Sequence, residues 1–271
     1  MQFHDFTNEP AGAGDGGRQL ARLIDAAARI VIFTGAGVST DCGIPDFRSP
    51  TGIWKTNMPI PFQEFMADPD ARREAWRRKF AIQPSFEAAE TTGVHESRSH
   101  HAVTRIYGTG RVSAVITQNI DNLHQASGIP SEKVIELHGN GSYAVCLSCD
   151  ARHELAFIRE AFHEKGEPPD CTRCGGILKT ATISFGQGMP QEEMLRARAE
   201  TLACDLFLAI GSSLVVHPAA TLPMIAAENG ADLVIVNNEE TPLDPMASLV
   251  VRADIGDAFS QWMRARGAMT Q

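Results

Sequence analysis

Short apolar segments alternate with longer helix-like segments along most of the chain. Five segments are predominantly apolar, at 30–33, 112–117, 134–137, 206–210 and 233–236. Strands that are apolar at successive positions are typical of parallel sheets, because both faces of such a sheet are covered. An amphipathic helix is predicted over 20–28, before the first strand. The pattern therefore predicts an α/β fold built on a parallel sheet.

Two regions interrupt this alternation. Residues 42–100 are rich in Pro, Gly and Trp and then strongly helical, whereas residues 139–180 contain four cysteines. We expect both regions to leave the sheet domain and to build a smaller second lobe. The glycine-rich run at 11–17 predicts a flexible segment ahead of the first helix.

Composition narrows the classes of function. The chain has 271 residues, 43% of them hydrophobic, which is enough for a sizeable core. A formal net charge of −9 disfavours nucleic-acid and membrane-surface binding and favours cationic partners such as lysine-rich peptides. The N-terminus has no signal-peptide pattern, and no segment approaches the roughly 20 apolar residues of a membrane span. We expect a cytoplasmic protein with no membrane association and no direct nucleic-acid partner.

Four of the six cysteines form two Cys-x-x-Cys pairs, Cys146 with Cys149 and Cys171 with Cys174. Four thiolates satisfy tetrahedral zinc and leave no open position for catalysis, so the pairs predict a structural zinc site. The alternative interpretations are a redox dithiol and four unliganded thiols. His153 lies between the pairs but is not needed as a ligand.

A glycine turn follows the first predicted strand, at Gly35-Ala36-Gly37, as in many nucleotide-binding βα units. The dehydrogenase fingerprint has a third glycine where this chain has Thr40, and no acidic residue ends a second strand about 20 residues further on. Residues 43–50 are predicted to form a loop. We expect a pyrophosphate near Ala36 and Gly37, with this loop folded over the rest of the ligand.

Polar residues end the later predicted strands, at 117–122, 136–140, 211–213 and 237–238. The carboxyl ends of parallel strands meet at one edge of the sheet, so these residues predict a single ligand crevice. Two structural alternatives stay open. Asn119 or Asp121 could be a helix N-cap, and His138 could be a structural histidine rather than a general base.

These residues lie in motifs that resemble those of the sirtuins, which are NAD-dependent protein lysine deacylases. The resemblance covers residues 18–259, and the motifs occur in the family's order. They are GAGVSTDCGIPDFRSPTGIW, TQNIDNLH, ELHGN, the two cysteine pairs, SFGQGMP, GSSLVVHPAA and IVNNEETPLD. The resemblance implies NAD as a co-substrate, a structural Zn²⁺, and acyl-lysine proteins or peptides as substrates.

The resemblance also implies a division of the chain. A Rossmann-like parallel-sheet domain is expected over 18–41, 101–138 and 181–265, with a flexible N-terminus over 1–17. The smaller lobe is expected to combine a cofactor loop and helical module over 42–100 with a zinc-ribbon module over 139–180.

Roles are implied residue by residue. NAD contacts are implied for Gly35, Ala36, Gly37, Thr40, Asp46, Phe47, Arg48, Trp54, Gln118, Asn119, Ile120, Asp121, Gly211, Ser212, Ser213, Asn237, Asn238 and Ile255. Catalytic roles are implied for His138, as the general base, and for Asn119 and Asp121. The substrate peptide is expected between two segments: Phe185, Gly186 and Gln187 on one side, and Val215, Val216 and His217 on the other. We expect one of the two valines to pack in the core.

The implied reaction releases nicotinamide, O-acyl-ADP-ribose and free lysine, with His138 taking a proton from a ribose hydroxyl. A protein mono-ADP-ribosyltransferase or an NAD glycohydrolase on the same fold is the alternative enzyme. An NAD-sensing regulator without turnover is the alternative of another class. We expect a monomer or a weak oligomer, and the sequence predicts no preference for one acyl chain.

Overall fold

The computed structural model describes residues 13–48 and 52–267. Residues 1–12, 49–51 and 268–271 lie outside the described residues, and they include most of the predicted flexible N-terminus and part of the predicted loop. The first helix begins at Ala13, well before the amphipathic pattern starts at residue 20. Gly14, Gly16 and Gly17 have low intrinsic helix propensity, and the burial of Leu20 on the sheet overrides that preference.

The described residues form both helices and strands. The helices are α1 Ala13–Ala26, α2 Phe62–Ala67, α3 Pro69–Ala88, α4 Val94–Glu96, α5 Arg98–Tyr107, α6 Leu123–Ala126, α7 Leu155–Lys165, α8 Gln191–Ala203, α9 Thr221–Glu228 and α10 Ile255–Gly267. The strands are β1 Ile30–Thr34, β2 Val112–Thr117, β3 Val134–Glu136, β4 Gly139–Cys146, β5 Arg152–Glu154, β6 Leu178–Thr182, β7 Leu206–Ile210, β8 Asp232–Val236 and β9 Leu249–Val251.

Six strands form one parallel sheet in the order β3-β2-β1-β7-β8-β9. The five strands predicted from apolar segments are all in this sheet, which confirms the predicted α/β architecture. The sequence pattern missed β9, because a strand of three residues is too short to give a periodic signal.

Helices cover both faces of the sheet, and each face has its own apolar core. On one face α1, α5 and α10 bury side chains such as Leu20, Ile106 and Phe259 against the strands. On the other face α8 and α9 pack on alternate strand residues such as Phe33 and Phe207. Burying one large apolar side chain contributes about 1.5–3 kcal/mol, so the paired cores hold the strand ends in fixed positions.

The smaller lobe contains a second, antiparallel sheet in the order β5-β4-β6. Trp76 of α3 is buried against this sheet, with Ala144, Cys146 and Leu178 around it, and its indole Nε1 donates a hydrogen bond to the Leu178 carbonyl at 3.3 Å. The helical module and the cysteine-containing module therefore share one core.

Membrane-spanning helices are not found in the described part of the chain, since none of its helices is both long and apolar enough.

Candidate active site

The strand order reverses between β1 and β7, at the centre of the parallel sheet. The chain runs outward from β1 through β2 to β3 on one side, and from β7 through β8 to β9 on the other. In open α/β sheets, ligands bind in the crevice at the carboxyl end of such a switch point. The predicted phosphate-binding residues follow these two strands, with Gly35 after β1 and Gly211 after β7.

The two strand ends approach so closely that only glycine fits between them. The Gly37 amide donates a hydrogen bond to the Gly211 carbonyl at 2.9 Å, and Gly211 has a positive φ of 61°. A Cβ on Gly37 would lie 2.8 Å from the Gly211 Cα, and one on Gly35 would lie 2.7 Å from the Gly211 oxygen. Ala36–Cys42 form a 3-10 turn, and Gly43 ends it in the left-handed region before the predicted loop. Backbone thus lines the floor of the crevice, as close approach to a pyrophosphate requires.

Substituting Gly37 with alanine is expected to weaken NAD binding and to destabilise the sheet domain. The added Cβ meets backbone rather than a movable side chain, so β1 and β7 must separate at an overpacking cost of about 1–3 kcal/mol. Thermal unfolding and calorimetric NAD titration measure both effects. The control is Gly108→Ala, because Gly108 has helical φ and its added Cβ meets neighbours only at 3.5 Å. Unchanged stability and NAD affinity in the Gly37 variant would contradict this view of the crevice floor.

A buried polar network follows β2. The Asn119 amide donates to the Ser39 hydroxyl at 3.1 Å, and that hydroxyl donates to Asp121 Oδ2 at 2.7 Å. All three side chains are buried. Asp121 Oδ1 also accepts the Leu123 amide at 3.1 Å, so this carboxylate supports the start of α6 as well as the network. The N-cap residue itself is Asn122.

Ser39 was not among the residues singled out from the sequence, although it joins two that were. A serine in a 3-10 turn carries no motif signal of its own. Its distance in sequence from Asn119 and Asp121 hides the contact until the strands are paired.

His138 lies two residues after the end of β3, immediately before β4, and is half-buried. Its Nδ1 lies 2.9 Å from the Gln118 carbonyl oxygen, which is a hydrogen-bond acceptor only. We assign the proton to Nδ1 on this basis, which leaves the Nε2 lone pair available as a base. Burial lowers the pKa of His138 below its usual 6.5. The Arg48 cation also lowers this pKa, whereas the hydrogen bond to Gln118 raises it. The imidazole is therefore neutral at physiological pH.

Gln118 also connects the two halves of the sheet. Its side-chain amide donates to the Ser212 hydroxyl at 2.8 Å, and that hydroxyl accepts the Leu214 amide at 3.3 Å. The predicted residues after β2, β3 and β7 are thus brought together by direct contacts. The Ile120 carbonyl accepts the Gly141 amide of β4 at 2.8 Å.

The loop after Gly43 is organised by aromatic rings. The Phe47 ring lies 5.2 Å from the Trp54 ring, the Arg48 guanidinium lies 4.2 Å above Trp54, and the Phe185 ring lies 5.4 Å from Trp54 on another side. The Asp46 carbonyl accepts the Ile53 amide at 2.9 Å and closes the loop. The structure therefore places the predicted loop residues beside Phe185 of the predicted peptide segment.

The predicted peptide-binding segments are exposed. Phe185 is 46% exposed and Val215 is 44% exposed, while Val216 is partly buried. The expectation that one of the two valines packs in the core is wrong, because Leu214 takes that place at 2% exposure. Leu214 has a positive φ of 53°, and this local turn directs the residues after it outward.

The remaining residues of the predicted peptide segments are anchored or exposed. The Gly186 carbonyl accepts the Gln63 amide at 3.1 Å, and Gln187 Oε1 accepts the Ser184 amide at 3.1 Å. His217 is exposed beyond the valines. These contacts tie one predicted peptide-binding segment to α2.

The remaining predicted NAD contacts differ in exposure. Asn237 follows β8 and is partly buried, with its side chain donating to the Glu239 carbonyl at 2.8 Å. Asn238 is exposed, Ser213 is partly buried, and Ile255, the first residue of α10, is buried. Thr40 is exposed and its hydroxyl donates to the Gly37 carbonyl at 3.0 Å. These residues stay predictions as ligand contacts.

The four paired cysteines form one cluster, in which their sulfur atoms all lie within 4.8 Å of one another. Cys146 Sγ lies 3.5 Å from Cys174 Sγ, and Cys149 Sγ lies 3.8 Å from Cys171 Sγ. Tetrahedral zinc with bonds of about 2.3 Å separates its sulfur ligands by about 3.8 Å, so the cluster fits Zn²⁺. Bound there, the ion would join the two loops and leave no coordination position for chemistry.

His153 supports this cluster although it was set aside as a ligand. Its Nε2 lies 3.3 Å from Cys171 Sγ, and the Ser148 and Arg173 amides donate to the sulfurs of Cys146 and Cys171 at 3.4 Å. Such donors orient thiolate ligands and stabilise their charge. The sequence signal was the position of this histidine between the two pairs.

Comparisons with known proteins agree with this arrangement. The Sir2 family model matches residues 35–218. NAD-dependent protein deacetylases from Rhodopseudomonas palustris and Bradyrhizobium diazoefficiens are each 54% identical over 248 residues, which is 92% of this chain and 96% and 95% of theirs. A solved Sir2 structure with deacetylated p53 peptide and 3'-O-acetyl ADP-ribose is 31% identical, with a TM-score of 0.78, and the match covers 92% of this chain and 98% of that one.

Proposed function

The chain belongs to the Sir2 family, and we propose that it removes acyl groups from protein lysine side chains with NAD as its co-substrate. The observation in the site that carries this function is His138. It is a neutral imidazole, held by a backbone carbonyl, at the strand ends where the proposed NAD contacts converge. A general base must be neutral at working pH and fixed in direction, and His138 satisfies both conditions.

NAD supplies the ADP-ribose that accepts the acyl group and the nicotinamide that leaves. We propose that the glycine floor of the crevice holds its phosphates, and that Asn119 and Asp121, fixed by Ser39, hold the ribose and the carboxamide. Phe47, Arg48 and Trp54 would cover the reacting end and exclude water.

His138 acts after nicotinamide has left, by taking a proton from a ribose hydroxyl at Nε2. The Gln118 carbonyl keeps the imidazole in the tautomer that this step requires. The closed four-cysteine site leaves the zinc ion a purely structural role.

The acid limb of the pH–rate profile is expected below pH 6.5. The folded-state pKa of His138 is lowered by burial, so kcat/KM stays level as the pH falls from 8 to 6.5 and drops only below that value. Arg48→Met removes this cation, so the pKa of His138 rises and the acid limb moves to higher pH. The shift is expected even if the substitution also changes the absolute rate. An acid limb above pH 7 in the wild type, or one unmoved in Arg48→Met, would contradict the assigned base.

The substrate peptide is proposed to add as a strand between the loop at 184–187 and the segment at 215–218. Phe185 and Val215 are exposed on the two sides, and an exposed apolar residue on each side suits an extended peptide. Backbone pairing would tolerate many sequences around the acyl-lysine. The net negative charge of the chain fits substrates in lysine-rich contexts.

The alternative enzyme on this fold is a glycohydrolase or mono-ADP-ribosyltransferase, and nicotinamide release distinguishes it. A deacylase releases nicotinamide from NAD only when an acyl-lysine peptide is present, because the acyl oxygen attacks the ribose. We expect release to increase at least about 100-fold on adding the peptide, with the unacylated peptide as the control. Equal release with both peptides would favour the alternative.

The division of the chain is also part of this proposal, with 42–100 and 139–180 forming the smaller lobe beside the sheet domain. So is a cytoplasmic location, which suits paired cysteines that bind metal rather than form disulfides. A monomer or weak oligomer stays a prediction.

A further inference from the structure

A second group of metal-ligating side chains lies outside the four-cysteine cluster. Asp41 and Cys42 end the 3-10 turn, and His100 lies in the first turn of α5. One ligand atom from each residue lies within 4.8 Å of the other two. Cys42 and His100 are buried and Asp41 is exposed, so the group opens to solvent on the side of the carboxylate.

The separations of these atoms match a metal site. Cys42 Sγ lies 3.4 Å from His100 Nδ1 and 3.7 Å from Asp41 Oδ1. Tetrahedral zinc, with a sulfur ligand at about 2.3 Å and nitrogen or oxygen ligands at about 2.0–2.1 Å, places sulfur about 3.6 Å from each of the others. Both distances from the Cys42 sulfur are therefore within about 0.2 Å of those in a zinc site.

Helix capping accounts for Ser97 and Asp41, but it does not require a thiol at position 42 or a buried imidazole at position 100. Ser97 is the N-cap of α5 and accepts the His100 amide at 3.0 Å, while Asp41 Oδ2 accepts the Ser99 amide at 3.1 Å. The Cys42 thiol is not needed for this capping, and the His100 imidazole contacts the capping hydroxyl through Nδ1 at 3.0 Å. His100 is fully buried, and its Nε2 has no hydrogen-bond partner among the described residues. Buried polar atoms without a partner are uncommon, so packing alone does not explain a histidine at this position.

A nucleophilic role for the thiol is unfavourable, because burial raises the pKa of Cys42 to about 12 and keeps it protonated. Coordination of a cation is different, since the ion itself displaces the thiol proton into solvent. Ser97 Oγ lies 2.8 Å from Asp41 Oδ1 and 3.0 Å from His100 Nδ1, where it can complete the donor set.

We propose that Asp41, Cys42 and His100 bind a divalent transition-metal ion of the Zn²⁺ class, with the Ser97 hydroxyl or a water as the fourth ligand. A thiolate and an imidazole select Zn²⁺ or Co²⁺ over Mg²⁺ and Ca²⁺, which prefer oxygen. The site is separate from the four-cysteine cluster and does not depend on the proposed function.

The test starts from purified protein that already contains one zinc per chain in the four-cysteine cluster. Titration with Zn²⁺, followed by calorimetry and by elemental analysis after desalting, is expected to show a second equivalent. Cys42→Ala should weaken that equivalent about 100-fold and Asp41→Asn about 10-fold, while the first zinc is retained. Co²⁺ added to the zinc-loaded protein should give a thiolate charge-transfer band that Cys42→Ala lacks.

Cys204→Ala is the matched control, because Cys204 is also buried but lies at the end of α8, outside both groups. It should keep the second equivalent and the Co²⁺ band. If Cys42→Ala does not fold, the affinity of Asp41→Asn for the second zinc tests the site. This variant should fold, because the side chain at position 41 is exposed and the amide oxygen of asparagine can still cap α5. Absence of a second equivalent in the wild type, or equal affinity in the folded variants, would overturn the proposal.

Discussion

His138→Ala is expected to lose about 100- to 10,000-fold of its lysine-releasing activity, which is the usual contribution of a general base. The imidazole takes the ribose proton at Nε2, because the Gln118 carbonyl holds its Nδ1. NAD binding and peptide-dependent nicotinamide exchange should persist in part, because nicotinamide leaves before the base acts. The measurements are lysine release by mass spectrometry and exchange of labelled nicotinamide in the same samples.

The control for this variant is His163→Ala, which removes an exposed histidine of α7 in the smaller lobe. It should have wild-type activity. If His138→Ala instead releases lysine within a few-fold of the wild type, the assignment of the base and the proposed order of steps are both wrong. Loss of NAD binding together with activity would indicate a structural role for the histidine.

Cys171→Ala is expected to remove the zinc ion and to unfold much of the smaller lobe. Structural zinc contributes about 10–16 kcal/mol of binding energy in small zinc modules, and this energy is folding energy. Cys171 is buried in the same core as Trp76 of the helical module, so the loss of this ligand should destabilise more than its own loop. We expect a midpoint of unfolding lower by about 10 °C or more, with reduced solubility.

Elemental analysis and thermal unfolding measure this result, with Cys204→Ala as the matched buried-cysteine control. That control should keep its zinc, since its thiol donates to the Thr201 carbonyl and lies in the core of the parallel sheet, outside the four-cysteine cluster. A Cys171→Ala protein with one tightly bound zinc and an unchanged midpoint would contradict a structural metal at the four-cysteine cluster.

The sheet was predictable because a strand buried on both faces must be apolar at successive positions. The residues of β1 and β7 are all buried, and both strands were identified from that pattern alone. The pattern failed to predict elements whose formation depends on tertiary contacts rather than on the local sequence. The start of α1 is rich in glycine and polar residues, and β9 is three residues long.

Functional residues were predictable where a motif joins them in sequence, as at Asn119, Asp121 and His138. Those that depend on folding were missed. Ser39 bridges two of these residues from another strand end, and His153 contacts a cysteine ligand through space. The cluster of Cys42 with His100 joins the 3-10 turn after β1 to the start of α5, and only packing brings the two side chains together.

The central claim is that the acyl group moves from lysine to ADP-ribose. Wild-type protein is incubated with NAD and an acetyl-lysine peptide, and all products are quantified by mass spectrometry. The account predicts O-acetyl-ADP-ribose, nicotinamide and free lysine peptide in equal amounts. Unmodified ADP-ribose with the acetyl group still on the peptide, or ADP-ribose attached to the protein or peptide, would contradict it.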